Sequence, residues 1–284
     1  MERHLNYQNE KATLFLIPTP IGNLEDMTFR AVTILQKVDL IYAEDTRVSK
    51  KILSYYNINK NLISLHEHNE SKRYEEILSN LNQGLNIGII SDAGMPLLSD
   101  PGFLIVNETK KAGFNVVALP GANALLPGLL MSGIKTIPFV FIGFLDAKQK
   151  KRRDELSQYQ YYPQTLIFYE AIHRIKQTLE DMYNIFGDRN FVIAREISKA
   201  FEEIISGKLS EFNELDELKG ELVLIVEGFS ENLSSNISIV EQVDFFIESG
   251  LKKTEAMKKV SEMTNIPKNR IYEEYLEKKI KEEK

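Results

Sequence analysis

The first half of the chain alternates short apolar runs with longer amphipathic stretches, and this alternation restricts the possible fold more than any other feature. Short apolar runs are typical of buried strands, whereas apolar residues at every third or fourth position indicate helices. Strands that alternate with helices predict a mainly parallel sheet with helices on its faces. The predicted strands are 12–17, 40–43, 62–65, 86–90 and 115–119, and the predicted helices are 27–38, 46–56, 71–81, 103–110 and 122–131.

A glycine- and proline-bounded stretch, 133–138, has the composition of a linker, and a second α/β pattern follows it. Its last three strands are separated by only one short helix, so antiparallel pairing is expected there. The predicted strands are 139–144, 165–169, 190–194, 202–206 and 221–227, with a helix at 172–186.

Beyond the last strand the pattern becomes helical, with predicted helices at 240–247, 254–263 and 267–279. Three short helices of this kind resemble a helix-turn-helix unit, although any small helical cap has the same pattern. The sequence therefore predicts three domains: an N-terminal α/β domain at 11–133, a second α/β domain at 138–229 and a helical, RNA-binding-like tail at 235–284.

Composition excludes several classes of protein. The 284 residues are enough to bury two apolar cores. The chain contains no cysteine, which rules out disulfides, a thiolate zinc site and a cysteine nucleophile. It shows no signal-peptide pattern and no apolar run long enough to cross a bilayer. We therefore expect a soluble cytoplasmic protein that does not contact membranes.

Charge is distributed unevenly along the chain. The formal net charge is -6, yet residues 251–284 alone carry ten basic and seven acidic side chains. A denser basic cluster lies at 148–153. Such runs usually form a solvated helix face, but they also suit phosphate contacts. The charge pattern by itself does not decide between these two interpretations.

Three loops rich in glycine and proline follow predicted strands of the first domain, at 18–24, 91–96 and 119–124. In a parallel sheet the carboxyl ends of the strands meet at the ligand crevice, and glycine there lets a ligand approach the backbone. Ordinary turn chemistry explains one such loop but explains three equivalent loops poorly. None of them matches a dinucleotide or nucleoside-triphosphate phosphate loop. S-adenosylmethionine, with a ribose and an amino-acid end, is a plausible ligand, and Asp92 suits a hydroxyl or ammonium donor.

Together with further motifs, these loops resemble the ribosomal RNA small subunit methyltransferase I family. The resemblance runs in order from about Thr13 to Gly228, and Met95 stands where threonine is expected in the family. The segments that carry it are 15–24, 43–47, 66–69, 91–96 with 99–102, 119–124, 168–174, 194–199 and 219–221.

The resemblance implies a tetrapyrrole-methylase-like fold: two αβα domains with the cofactor in a cleft between them, usually as a homodimer. It implies S-adenosyl-L-methionine as methyl donor, no metal, and a decoding-centre cytidine 2′-hydroxyl of 16S ribosomal RNA as acceptor, in the assembled 30S subunit. The cofactor-binding residues that it implies are Pro20, Asp92, Ala93, Gly94, Met95, Gly121, Ala122, Asn123 and Tyr169.

Candidates for the base, or for residues that orient it, are Glu44, Asp45, Arg47, Glu170 and His173. Each has a simpler interpretation. Asp45 is well placed to cap the following helix, and Glu170 with His173 is equally typical of a polar helix start. Arg47 suits a bidentate phosphate contact or an ion pair with Glu44. No single residue is assigned as the base.

The predicted RNA contacts are Arg47, Lys150, Lys151, Arg152, Arg153 and Arg174. Tyr159, Tyr161 and Tyr162 suit base stacking, although packing is the more common use of such residues. His66 and His68 lack a third metal ligand at recognisable spacing, so no metal site is predicted. Two other functions stay open: a methyltransferase of the same fold that acts on a tetrapyrrole or a modified amino acid, and a helix-turn-helix regulator that senses a cofactor.

Overall fold

The computed structural model describes residues 5–6, 9–66, 69–98, 103–230, 238–248, 251–264 and 266–282. The chain forms two compact units. The first comprises Met1–Pro127 with Glu196–Glu203, and the second comprises Gly128–Arg195 with Ile204–Lys284. The predicted three-domain division stays a prediction.

The first unit is built on a five-stranded sheet of order β3-β2-β4-β1-β5, in which every pairing is parallel. Its central strands are apolar and buried along their whole length, as expected where helices cover both faces. The strands are β1 (Thr13–Leu16), β2 (Leu40–Ala43), β3 (Leu62–Ser64), β4 (Ile87–Ile90) and β5 (Asn115–Ala118).

The helices of this unit are α1 (Phe29–Lys37), α2 (Thr46–Tyr55), α3 (Glu70–Asn82), α4 (Phe103–Lys111) and α5 (Leu125–Met131), of which residues 128–131 belong to the second unit. Buried residues of α1 and α2 join one core with Phe15 and Ile17, whereas those of α3 and α4 join another with Leu14 and Leu16. Alternate residues of β1 therefore face opposite cores, so helices cover both faces of the sheet.

The chain leaves β1 towards β2 on one side and leaves the adjacent β4 towards β5 on the other. Because crossovers are right-handed, the loops after β1 and β4 diverge to opposite faces of the sheet. Such a switch point opens a crevice at the carboxyl ends of the strands, which is where ligands bind in sheets of this type.

The second unit contains a mixed sheet of order β6-β7-β10-β8-β9. Its strand β10 (Leu222–Val226) is antiparallel to both β7 (Thr165–Glu170) and β8 (Asn190–Arg195), which confirms the expected antiparallel pairing. The other strands are β6 (Phe139–Phe144), which is parallel to β7, and β9 (Glu203–Lys208).

Two helices, α6 (Gln149–Ser157) and α7 (Ile175–Phe186), contribute to the core of the second sheet. Helix α6 was not predicted, because six of its nine residues are charged and no apolar periodicity marks a helix. The helix predicted at 172–186 is divided into a 3-10 turn, Ile172–Arg174, and α7.

The C-terminal segment folds into α8 (Ile239–Glu248), α9 (Lys253–Thr264) and α10 (Lys268–Glu282). Their apolar faces form a separate core that also includes Tyr161 and Phe229 from the α/β part of the unit. The ring of Tyr161 is buried against Phe229 and Phe245, so this residue serves packing rather than base stacking. Tyr159 and Tyr162 pack against the core of the sheet.

Candidate active site

The three glycine- and proline-rich loops converge at the carboxyl edge of the first sheet. Thr19 and Gly94 pair through two backbone hydrogen bonds, of 2.9 and 3.0 Å, and the Thr19 hydroxyl donates to the Ser91 carbonyl at 3.0 Å. Gly121 packs against the ring of Pro18, and a Cβ at residue 121 would lie 2.6 Å from the Cβ of Pro18. The sequence placed these loops at equivalent strand ends, and the structure brings them into contact.

Gly94 has a φ of +77°, a backbone conformation that residues with a side chain rarely adopt. A Cβ there would approach the Ala122 carbonyl oxygen at 3.6 Å and the Asn123 Cα at 3.9 Å. The Asn123 side chain accepts from the Leu126 amide at 3.0 Å and so fixes the entry into α5. Gly94 therefore allows the loop after β4 to lie close to the loop after β5.

Among the other predicted cofactor residues of this unit, Pro20 is buried, Met95 is half-buried and Ala93 is exposed. Tyr169 belongs to the second unit, where its ring lies 4.9 Å from Phe141 and 5.6 Å from Phe144, centre to centre.

A fourth loop, after β2, joins the same edge through Asp92. One carboxylate oxygen of Asp92 accepts the Asp45 amide at 3.0 Å, and the Asp92 amide lies 3.5 Å from a Glu44 carboxylate oxygen. Burial raises the pKa of Asp92, and the neighbouring Asp45 carboxylate raises it further. The second carboxylate oxygen of Asp92 has no partner among the described residues, which leaves it available to a ligand.

Asp45 caps helix α2, as its simpler interpretation predicted. Its carboxylate accepts the Arg47 amide at 2.8 Å and pairs with the Arg47 guanidinium at 2.6 Å. Hydrogen bonds from Arg47 lower the pKa of Asp45 to about 2. The predicted ion pair of Arg47 with Glu44 is therefore wrong: Arg47 pairs with Asp45, and its side chain is otherwise exposed.

Glu170 is fully buried and already engaged by three donors. Its carboxylate accepts the Ala171 amide at 2.6 Å, the Thr178 hydroxyl at 2.7 Å and the Arg174 guanidinium. Arg174 also donates to the Leu145 carbonyl at 3.0 Å. These contacts hold β7, its following turn and α7 together. They leave Glu170 engaged by the fold, which disfavours it as a base, whereas its orienting role and the RNA contact of Arg174, which is 13% exposed, stay predictions.

The basic cluster at the start of α6 is only partly accessible. Arg152 is 1% exposed and pairs at 2.7 Å with Asp181, which is 0% exposed, so no phosphate reaches it and its predicted RNA contact is wrong. Arg153 pairs with the same carboxylate at 2.6 Å but remains partly exposed. Lys150 and Lys151 lie on the surface, where Lys151 is 3.5 Å from Asp146.

Among the described residues, no group of three or more histidine, aspartate or glutamate side chains has a metal-binding arrangement. His68 and the segment 99–102 lie outside the described residues. In the described part of the chain, no helix is both long and apolar enough to span a membrane.

The fold and its joined loops define the class of protein. Residues 13–213 match the family model of tetrapyrrole (corrin/porphyrin) methylases. A solved structure of uroporphyrin-III-C-methyltransferase from Thermus thermophilus superposes with a TM-score of 0.55 at 14% identity, covering 76% of this chain and 94% of that one. This confirms the predicted α/β fold class.

Two curated relatives narrow the class further. Ribosomal RNA small subunit methyltransferase I of Bacillus subtilis is 44% identical, over 95% of this chain and 96% of its own length. The protein of the same name from Escherichia coli O157:H7 is 39% identical, over 98% and 99%. The chain belongs to the ribosomal RNA small subunit methyltransferase I family and is a methyltransferase, as its motifs predicted.

Stability near pH 3 tests the Asp45–Arg47 pair. A carboxylate whose folded-state pKa is lowered to about 2 stabilises the fold above its unfolded pKa near 3.8, and this stabilisation is lost as the pH falls towards 2. Asp45→Asn keeps a helix-capping side chain but removes the charge. We expect the melting temperature of wild type to exceed that of Asp45→Asn at pH 6 and the difference to shrink towards pH 3. A constant difference across this range would contradict the assignment.

Proposed function

We propose that this protein transfers the methyl group of S-adenosylmethionine to the ribose 2′-hydroxyl of a decoding-centre cytidine in 16S ribosomal RNA. The observation that carries the proposal is the junction of four strand-end loops at one sheet edge. It is supported by the match to relatives named ribosomal RNA small subunit methyltransferase I along nearly their whole length. We further propose a cytoplasmic homodimer that acts on the assembled 30S subunit.

The residues at the sheet edge fit this cofactor. The contacts of Gly94 and Gly121 set the backbones of neighbouring loops close together, so main-chain atoms of several loops can bind one ligand. Asp92 retains a carboxylate oxygen for an ammonium or ribose hydroxyl donor. Pro20, Ala93, Met95, Ala122 and Asn123 complete the proposed site on this unit, and Tyr169 stays a proposed cofactor residue.

S-adenosylmethionine supplies a methyl group that its sulfonium has already activated. What the protein must add is alignment of the attacking oxygen, and this alignment is worth several kcal/mol. The hydroxyl proton leaves as the carbon–oxygen bond forms, so a nearby acceptor lowers the barrier. Asp45 is a weak acceptor because its pKa is about 2, and Glu170 is fully engaged. Glu44 and His173 are therefore the two candidates for the proton acceptor.

Asp92→Asn separates a functional role of Asp92 from a structural one. The amide keeps an acceptor for the Asp45 amide and removes a carboxylate whose ionised form is disfavoured by burial, so the melting temperature should stay equal or rise. Loss of a charged hydrogen-bond partner should nevertheless weaken S-adenosylmethionine binding by about tenfold or more. Calorimetric titration and thermal unfolding of the same samples measure both effects. A fall in melting temperature with unchanged affinity would make Asp92 a purely structural residue.

The acceptor is tested with labelled S-adenosylmethionine and three substrates: small subunits from cells lacking this methylation, naked 16S RNA and large subunits. We expect label on small subunits and none on large subunits. Cofactor binding without transfer to any ribosomal substrate would reject the acceptor, and a tetrapyrrole, a modified amino acid or a sensing role would then be examined. Preference for naked RNA would reject the assembled subunit as substrate.

A further inference from the structure

A groove of about 630 Å³ lies on the first unit, beside the candidate active site. It is formed by the loop after β1, the end of α2 and the segment Glu196–Glu203, which the chain contributes from beyond β8. Its lining residues are Gly22, Asn23, Leu24, Glu25, Tyr55, Ser198, Lys199, Ala200 and Phe201.

Specific contacts hold the groove in shape. The Lys199 side chain lies directly on Gly22, where a Cβ would be 2.3 Å from the Lys199 Cγ. Lys199 pairs with Glu196 at 2.8 Å, and the Ser198 hydroxyl donates to the Asp26 carboxylate. Glu196 and Ser198 both adopt left-handed backbone conformations, with φ of +52° and +69°. Strain of this kind persists where the surrounding contacts enforce it, and it is concentrated at functional sites.

Two aromatic rings in this groove are open to solvent. Tyr55 is 59% exposed and Phe201 is 77% exposed, although they come from segments more than 140 residues apart in the sequence. Exposed aromatic rings in one groove suit the stacking of unpaired nucleic-acid bases, which does not depend on base identity.

A stripe of two cations and one aromatic residue connects this groove to the candidate active site. Arg47, Lys51 and Tyr55 follow one another at intervals of four residues along α2, so they lie on one side of the helix within an arc of about 80°. The stripe is about 12 Å long. Arg47 stands beside the Asp45–Asp92 contact, and Tyr55 lines the groove. Its length matches roughly three stacked nucleotides at about 3.4 Å each.

The distribution of charge sets the orientation of a bound strand. The carboxylates of Glu25 and Asp26 lie at the groove, and Glu196 neutralises Lys199, the cation that lines it, so the groove offers no excess of positive charge to a phosphate. Arg47 and Lys51 are exposed on the stripe, and Lys51 makes no ion pair with any described residue. Phosphates therefore belong on the stripe and a base belongs in the groove.

We propose that Tyr55 and Phe201 stack an unpaired nucleotide that flanks the methylated one, while Arg47 and Lys51 contact the intervening phosphates. This proposal rests on the proposed RNA acceptor and extends it to a strand-binding subsite that sets how the target enters. Tyr55 and Phe201 are positioning residues here, because they touch the RNA away from the reacting atoms.

The test compares Tyr55→Ala, Phe201→Ala and the double variant with wild type. Each ring should contribute about 5- to 150-fold to the affinity for a single-stranded RNA oligonucleotide spanning the target, measured by fluorescence anisotropy. The KM for small subunits should rise in parallel, with the Kd for S-adenosylmethionine unchanged. Tyr55→Phe should retain wild-type affinity, because it keeps the ring. Phe29→Ala is the matched control, since Phe29 is 96% exposed on the same unit and does not line the groove.

Salt dependence tests the stripe separately. Lys51→Ala should reduce the slope of log affinity against log salt concentration by about 0.7, the value for one phosphate contact to a single strand. An unchanged slope would remove Lys51 from the proposed subsite.

Several results would overturn the stacking proposal. One is an unchanged affinity of the double variant for the oligonucleotide. Another is weakened binding of S-adenosylmethionine by the double variant, because it would assign the groove to the cofactor. Loss of affinity for subunits but not for the oligonucleotide would assign the rings to a ribosomal protein. A changed sedimentation coefficient would assign them to contact between copies of this chain. Failure of wild type to methylate any RNA would instead reject the proposed function. Because oligonucleotide affinity is measured without methyl transfer, it tests the stacking proposal separately from the proposed function.

Discussion

A Gly121→Ala variant is expected to lose about 100-fold in kcat/KM, because displacement of a positioning loop by about 1 Å has an effect of that size. The added methyl group would lie 2.6 Å from the Cβ and 2.8 Å from the Cγ of Pro18. The Pro18 ring is rigid and buried, so the loop after β5 must move away from the loop after β1. Calorimetric titration should show that most of the loss is weaker S-adenosylmethionine binding.

The clash can be relieved at its other partner. Pro18→Gly removes the atoms that the new methyl group meets, so the double variant Pro18→Gly/Gly121→Ala should recover affinity relative to Gly121→Ala. The single variant Pro18→Gly is the control, because it measures the effect of the backbone flexibility that loss of the proline ring introduces. If Gly121→Ala binds the cofactor as wild type does, contact between these loops does not define the cofactor site.

Asp181→Ala is expected to destabilise the second unit by about 3–5 kcal/mol, the usual cost of leaving one charge of a buried ion pair without its partner. The Asp181 carboxylate accepts Arg152 at 2.7 Å, Arg153 at 2.6 Å and Gln149 at 3.2 Å. Its removal leaves the Arg152 guanidinium, which is 1% exposed, buried and uncompensated. Urea denaturation measures the free energy of unfolding, and hydrogen exchange of α6 and α7 locates the loss.

Glu180→Ala is the matched control, because Glu180 precedes Asp181 on α7 and is exposed. Its effect should stay within about 0.5 kcal/mol, as is typical of surface substitutions. Equal stabilities of Asp181→Ala and Glu180→Ala would show that the buried pair contributes little and that Arg152 is free to move to the surface.

The sequence predicted the first sheet well, because each central strand is an apolar run bounded by loops that contain glycine or proline. The strands β1 and β4 are buried on both faces, so their sequences differ clearly from those of the amphipathic helices, whereas β5 is an edge strand that is only partly buried. Their strand order also explains why the three loops that follow them meet. The residue types of these loops indicated a single ligand-binding site but did not indicate which of their atoms would form hydrogen bonds within the protein.

The role of single charged residues was not predictable from local sequence. Arg152 stands in a run of basic residues that looks solvated, and its partner Asp181 follows 29 residues later, on another helix. Glu170 resembled a catalytic carboxylate, yet its three donors are supplied by the fold around it. The association of Glu196–Glu203 with the first unit depends on contacts with Gly22 and Asp26, more than 170 residues away, and no local pattern reports such contacts.

The most direct test of the central claim identifies the atom that receives the methyl group. Small subunits lacking this methylation are incubated with the protein and S-adenosylmethionine. Their RNA is cleaved into fragments of known position, and the methylated fragment is then digested to nucleosides and analysed by mass spectrometry. We expect one new 2′-O-methylcytidine per subunit, located in a fragment of the decoding centre and formed about 100-fold more slowly with Gly121→Ala. A methyl group on a base, or on no nucleoside at all, would contradict this expectation.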